Sequence, residues 1–432
     1  MDDLAILSGR VRKDGRWTDT NLYVSDGVIS KITEETLPAR RTLDAQGCHI
    51  IPGIIDPHVH FELDLGRFKS VDDFASGPRA AAYGGVSAFI DFLDPVRDAD
   101  ALVDAYGRRL KAARKSALDY TFHATICSPR GNLESFVKTM LGLGMRTLKL
   151  FTTYSESDRR TDDESIVELL KLSERYGFLI LAHIENDDAI TLDERHSTRD
   201  LPLSRPTEAE TSEALKLAGF VEETGGRMYM VHLSSGDTLE ALKARHADLL
   251  HRRFFIETCP QYMTFTNDVL ATAEGHLYTC APPLRSRAER DKLVSMHRDI
   301  DTVGTDHCAF MRSDKEGARL KDIPLGFGSI EHAFARMFDL MGEDAIEKMT
   351  SKVADILFLP QKGRIEPGKD ADLTIYLEEE GVITENHAAS DYSVYHGMKR
   401  SVRVLSTMSR GRFIIDNGTY LASRGRLIKE RT

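Results

Sequence analysis

The stretch Gly53-Ile54-Ile55-Asp56-Pro57-His58-Val59-His60-Phe61 places two histidines, one residue apart, at the end of an apolar run. Alternate side chains of a β-strand point to the same face, so His58 and His60 can offer both imidazoles to one metal ion. Taken alone, such a pair is more often two surface or hydrogen-bonded histidines than a pair of ligands. The rest of the chain decides its meaning, and with it the fold.

From about residue 50 to 310, short β-branched or apolar runs alternate with longer helix-like segments. Strands are expected at 50–55, 86–93, 120–127, 147–151, 179–184, 228–234, 254–259 and 302–306. Amphipathic stretches such as 162–176 and 208–224 are long enough for crossover helices. Eight strand-helix repeats predict an α/β fold of the (β/α)₈ TIM-barrel type. Both flanks read as all-β. Residues 4–46 carry turn signals at Asp14-Gly15 and Asp26-Gly27, and 402–421 carries one at Asn417-Gly418-Thr419. The last also matches a glycosylation acceptor, but a turn is the preferred reading in a chain expected to be cytoplasmic. The expected organisation is a small β-sandwich built from 1–50 and 360–432, with the barrel, 51–359, inserted between its halves.

A parallel barrel carries its active site at the C-terminal ends of the strands, so a polar residue closing an apolar run has a direct functional reading. Five predicted strands end this way, in His58 and His60, Lys149, His183, His232 and Asp306. Each has an ordinary explanation when taken singly. Lys149 could pair with an acid, His183 or His232 could be a hydrogen-bonded core histidine, and Asp306 could cap a helix. Their coincidence at one rim is harder to dismiss, because four imidazoles, a carboxylate and a lysine need an anionic or metallic partner. An ammonium cannot ligate a cation. A desolvated lysine can lose its proton, however, and the neutral amine can add carbon dioxide to form an anionic carbamate bridge. Two divalent metals could then share Lys149, with His58, His60 and Asp306 on one and His183 and His232 on the other. A hydroxide between them would be the natural nucleophile.

Composition narrows the substrate. The 432-residue chain has a formal net charge of −11, which argues against general affinity for nucleic acid or anionic membranes and favours a small molecule. The N-terminus lacks the basic start and long apolar segment of a secretory signal, and no later run looks able to span a bilayer, so a cytoplasmic location is expected. Cys48, Cys127, Cys259, Cys280 and Cys308 are odd in number and contain no Cys-X-X-Cys pair, which speaks against a disulfide framework or a thiolate zinc site.

Seven motifs occur in order: Asp56-Pro57-His58-Val59-His60, Lys149-Leu150-Phe151-Thr152-Thr153-Tyr154, His183-Ile184-Glu185-Asn186, Val231-His232-Leu233-Ser234, Glu257-Thr258-Cys259-Pro260-Gln261-Tyr262, Ala281-Pro282-Pro283-Leu284-Arg285 and Thr305-Asp306-His307-Cys308. In these motifs, and over nearly its full length, the chain resembles the amidohydrolase superfamily, within it the cyclic amidohydrolases: hydantoinase, dihydropyrimidinase, allantoinase and dihydroorotase. The resemblance implies a binuclear site, with Zn²⁺ the first expectation, a carboxylated Lys149, and Asp306 acting as general base and then acid. It implies opening of a cyclic amide or imide, of hydantoin or dihydropyrimidine type, to an N-carbamoyl amino acid. It further implies that Tyr154 hydrogen-bonds the ring carbonyl, while Ala281 and Leu325 stand where relatives use a serine and an asparagine through main-chain groups. A homodimer or homotetramer is also expected.

Asp72-Asp73-Phe74 and Asp91-Phe92 look most like hydantoinases and dihydropyrimidinases, whereas Leu65-Gly66-Arg67 faintly resembles an allantoinase loop. Dihydroorotases typically place an arginine two residues after the second histidine. Here that residue is Glu62, which would repel an acidic substrate. The loop 61–70 is more charged than the apolar stretch of hydantoinases, suggesting a polar or cationic exocyclic substituent. A noncatalytic scaffold, as among dihydropyrimidinase relatives that have lost metal ligands, is the alternative of another class; every expected ligand is present here.

Overall fold

The computed structural model describes residues 1–429. Eight parallel strands, β1 Ile54–Val59, β2 Val86–Phe92, β3 Asp119–Thr125, β4 Thr147–Phe151, β5 Leu179–His183, β6 Met228–Leu233, β7 Phe254–Thr258 and β8 Thr302–Val303, pair in sequence order. A backbone bridge between Val59 and His307, with His60 N donating to His307 O at 2.9 Å, ties the first strand to the segment after the last. The strands are buried on nearly all residues, as expected for apolar runs covered on both faces. Inside the barrel, Ile55, Ile90, Leu179, Leu181, Tyr229, Val231 and Phe255 pack with Val353, Ile356 and Leu359 in one cluster.

The crossover helices follow from local signals. In Asp163–Tyr176, Asp162 accepts from Ser165 N at the start and Gly177 ends the helix at φ 71°. Of its buried residues, Ile166, Leu169, Leu170 and Ser173 recur at helical spacing and face the barrel, and Leu172 is buried beside them. The expected helix at 208–224 is Thr207–Thr224.

Strand β8 is shorter than the expected 302–306. At Gly304 a Cβ would lie 2.6 Å from Glu257 Oε2 and 2.9 Å from the His58 Cβ, so only glycine permits this approach. Asp306 then leaves strand geometry at φ 51°.

Strands from both ends of the chain share one nine-stranded sheet. His49–Pro52 joins the halves, running antiparallel to Leu373–Val382 and parallel to Asp2–Lys13. The turn pairs Asp14-Gly15, Asp26-Gly27 and Asn417-Gly418 all have positive φ, the geometry that suits tight hairpins. Leu4, Ile6, Val11, Leu22, Ile50, Leu373, Ile375 and Met408 form a separate core for this module. Among the described residues, no helix is long and apolar enough to cross a membrane.

Candidate metal centre

The six residues expected as ligands come together at the C-terminal mouth of the barrel. His58 Nε2 and His60 Nε2 lie 3.2 and 3.0 Å from Asp306 Oδ1. Ligand atoms of these three residues lie within 4.8 Å of one another. The second half adjoins them: the His232 ring centroid is 5.6 Å from that of His58 and 4.5 Å from that of His183. Lys149 projects from β4 with Nζ 5.5 Å from the Phe92 ring and 5.2 Å from the Phe151 ring.

Local irregularities aim these side chains. Pairing of β1 with β2 shifts register between Asp56 and Val59, and pairing of β6 with β7 shifts between Met230 and Leu233. Each shift brackets a histidine, as bulges do when they redirect a side chain. His232, Asp306 and Tyr154 adopt φ of 45°, 51° and 71°. Such left-handed backbone costs about 1–3 kcal/mol per residue and persists only where its surroundings enforce it.

Buried carboxylates orient the imidazoles. Glu257 Oε1 accepts from His58 Nδ1 at 2.7 Å and from the His232 amide at 3.0 Å, while Oε2 accepts from the Tyr229 hydroxyl at 2.8 Å. This leaves His58 Nε2 for a metal. His183 Nε2 meets Glu185 Oε2 at 2.6 Å, leaving Nδ1, and Arg205 Nη2 lies 3.2 Å from the same oxygen. Asp56 receives the amides of His58 and Thr305, both at 3.1 Å, and the Thr305 hydroxyl at 2.6 Å. It thereby ties β1 to the Asp306 segment. Asp56, Glu185 and Glu257 stand within the sequence motifs, but the motifs alone assign them no orienting task. The signal was available for Glu257, because Phe254-Phe255-Ile256-Glu257 is another apolar run closed by an ionisable residue.

The donor set fits divalent metal. Burial lowers His60 and His183 to about 4 and His232 well below the ordinary value, keeping these imidazoles neutral. Burial also opposes a charged His58, but Glu257 and Asp306 raise it to about 9. Burial works against the Asp306 carboxylate, yet His58 and His60 hold it well below the usual carboxylate range. The buried His232 Nδ1 has no hydrogen-bond partner among the described residues. Burial lowers Lys149 to about 7 despite the pull of Asp306 and Glu257, so its neutral amine is accessible near neutrality.

Tyr154 follows β4 beside the centre, its ring 5.1 Å from that of His183 and 4.9 Å from the Arg205 guanidinium carbon. Burial raises its phenol, which keeps the proton available for donation. Ala281 and Leu325 lie on loops following β7 and β8, and these loops meet through Gly326 N donating to Thr279 O at 2.8 Å. Among the described residues, no hydrogen bond joins Ala281 or Leu325 to the ligand cluster. The charged loop 61–70 closes on itself, with Ser70 N donating to Leu63 O at 2.9 Å. The Ser70 hydroxyl also donates to His60 O at 2.9 Å.

A barrel with convergent histidines, a lysine and an aspartate at its mouth defines a metal-dependent hydrolase architecture, and comparison with known proteins identifies the family. Residues 49–414 match the amidohydrolase family, to which this chain belongs. D-phenylhydantoinase of Escherichia coli O1:K1 / APEC is 30% identical over 452 residues, covering 98% of this chain and 96% of that protein. A D-hydantoinase crystal structure superposes with a TM-score of 0.93 at 28% identity, covering 100% of this chain and 99% of the other. Dihydropyrimidinase from Brevibacillus agri NCHU1002 gives 0.93 at 27% identity with the same coverage.

Proposed function

We propose that this protein hydrolyses a cyclic amide or imide of hydantoin or dihydropyrimidine type, opening the ring to an N-carbamoyl amino acid. The observation carrying this reading is the convergence of buried His58, Lys149, His183 and His232 with partly exposed His60 and Asp306 on one mouth. The similarity to D-phenylhydantoinase and dihydropyrimidinase supports the ring-amide class. Two divalent ions, zinc first among candidates, would be held by His58, His60 and Asp306 on one side and His183 and His232 on the other, with carboxylated Lys149 between them. When bound, such ions supply Lewis acidity that polarises a carbonyl and lowers a water's pKa from about 15.7 towards about 7.

The chain's residues perform the remaining tasks. The neutral Lys149 amine bonds to the carbon of carbon dioxide and releases one proton, giving the carbamate. The Tyr154 hydroxyl donates to the ring carbonyl oxygen as negative charge grows there. Asp306 accepts a proton from the attacking water and delivers it to the leaving ring nitrogen. Main-chain groups of Ala281 and Leu325 orient the imide, and loop 61–70 favours a polar or cationic substituent. We further propose a domain division at 1–50 and 360–432 against 51–359, with the strand His49–Pro52 carrying the terminal sheet two residues past the first boundary, and a cytoplasmic homodimer or homotetramer.

Elemental analysis together with a panel of hydantoin, dihydrouracil, allantoin and dihydroorotate tests this reading. About two metals per chain and ring opening of hydantoin or dihydrouracil are expected. Activity confined to dihydroorotate would overturn the substrate assignment, and a protein purified with zinc available yet holding no stoichiometric metal would favour a scaffold.

A further inference from the structure

Lys315 ends the short helix Arg312–Lys315 and is completely buried. Among the described residues it has no carboxylate partner; its ammonium faces Thr279 O at 3.1 Å and Thr279 Oγ1, Pro324 O and Gly326 O, each at 2.8 Å. The Thr279 hydroxyl donates to His276 O at 3.0 Å, which leaves its lone pairs turned to the ammonium. Burying a charge is costly unless several polar groups compensate, so this arrangement is a constructed one. Its acceptors come from two loops distant in sequence.

Those loops carry Ala281 and Leu325. Thr279 precedes Ala281 by two residues, and Pro324 and Gly326 flank Leu325. With both flanking carbonyls committed to Lys315 and the Gly326 amide donating to Thr279 O, the Leu325 peptide is held from either side. Among the described residues, the N–H and C=O groups of Ala281 and Leu325 have no hydrogen-bond partner. A pair of unpaired main-chain positions clamped across one ammonium is suited to recognising a planar donor-acceptor edge such as a ring amide.

We propose that Lys315 is a positioning residue that sets the spacing of the Ala281 and Leu325 main-chain groups and thereby the binding of the ring amide. This rests on the cyclic-amide reading above. Burial lowers the lysine to about 7, and the Thr279, Pro324 and Gly326 oxygens around Nζ oppose that loss of charge by accepting from the ammonium.

Lys315→Met keeps the chain length and removes the ammonium. The metal-replete variant should show KM raised by about tenfold or more with kcat changed by less than about threefold, the signature of lost ground-state binding. Amide hydrogen exchange should accelerate at Gly326, whose N–H donates to Thr279 O across the two loops, while the barrel strands retain their protection. Unchanged exchange at Gly326, or unchanged KM in a folded, metal-replete variant, would overturn the proposal. Parallel loss of metal and kcat at constant KM would also overturn it, as that is what a general structural lysine produces. If Lys315→Met does not fold, Thr279→Val removes one acceptor and should raise KM by about two- to fivefold at constant kcat; an unchanged KM there refutes the role. The exchange measurement needs no turnover, so a wild-type protein inactive on every ring amide would count against the cyclic-amide reading, while exchange would still judge the clamp.

Discussion

Substitution of Glu257 separates what its charge contributes to the metal centre from what its shape contributes. Glu257 Oε1 serves His58 Nδ1 and the His232 amide, and Oε2 serves the Tyr229 hydroxyl. In Glu257→Gln, the amide oxygen can keep both Oε1 contacts. The new NH₂ group then faces Tyr229, whose oxygen can accept if its proton turns to Thr302 Oγ1, 2.5 Å away. Geometry survives and the negative charge is lost. Glu257→Ala removes both and leaves the His58 N–H and the His232 amide without acceptors. Loss of such supporting partners typically costs 10–100-fold in metal affinity, about 1.4–2.7 kcal/mol. The glutamine variant belongs near the lower end and the alanine variant at or above the upper end. Competition with a chromophoric chelator, followed by elemental analysis, measures both. Wild-type affinity in Glu257→Ala would refute the view that this carboxylate fixes His58 and His232. Equal losses in the two variants would show that charge, rather than orientation, dominates.

Three further outcomes are expected. Lys149→Ala should lose metal and activity, with partial recovery by small carboxylic acids; full activity without rescue would remove the carbamate bridge. Tyr154→Phe should retain metal while kcat falls by about 10²–10³-fold, as for loss of an oxyanion donor, and an unchanged kcat would exclude that role. Metal affinity should rise with pH towards about 9, because the metal-free His58 is protonated below that value and a metal must displace its proton. Calorimetry near pH 7 in buffers of different ionisation enthalpy should detect this proton release, and affinity independent of pH from about 6 to 8 would contradict it.

The barrel was legible because each buried parallel strand writes itself as an apolar run, and because Asp162 and Gly177 mark helix ends locally. The ligand residues were legible for a related reason: a polar side chain at the end of such a run falls on the barrel's functional rim. The Lys315 clamp was not. Its residues are scattered between 279 and 326 in loops without periodicity, and nothing in Ser313-Asp314-Lys315-Glu316 distinguishes a buried lysine from a solvated one.

The sequence by itself determined the alternation of strands and helices, the hairpins of the terminal sheet and the identity of the six residues at the barrel mouth. Those properties depend on local periodicity and turn chemistry, which neighbouring residues express without knowledge of the rest of the chain. Tertiary structure alone decided which nitrogen of His58 faces Glu257, which nitrogen of His183 faces Glu185, and which two loops meet on Lys315. Hydrogen bonds reach only about 3 Å, so between residues far apart in sequence they exist only after the barrel closes.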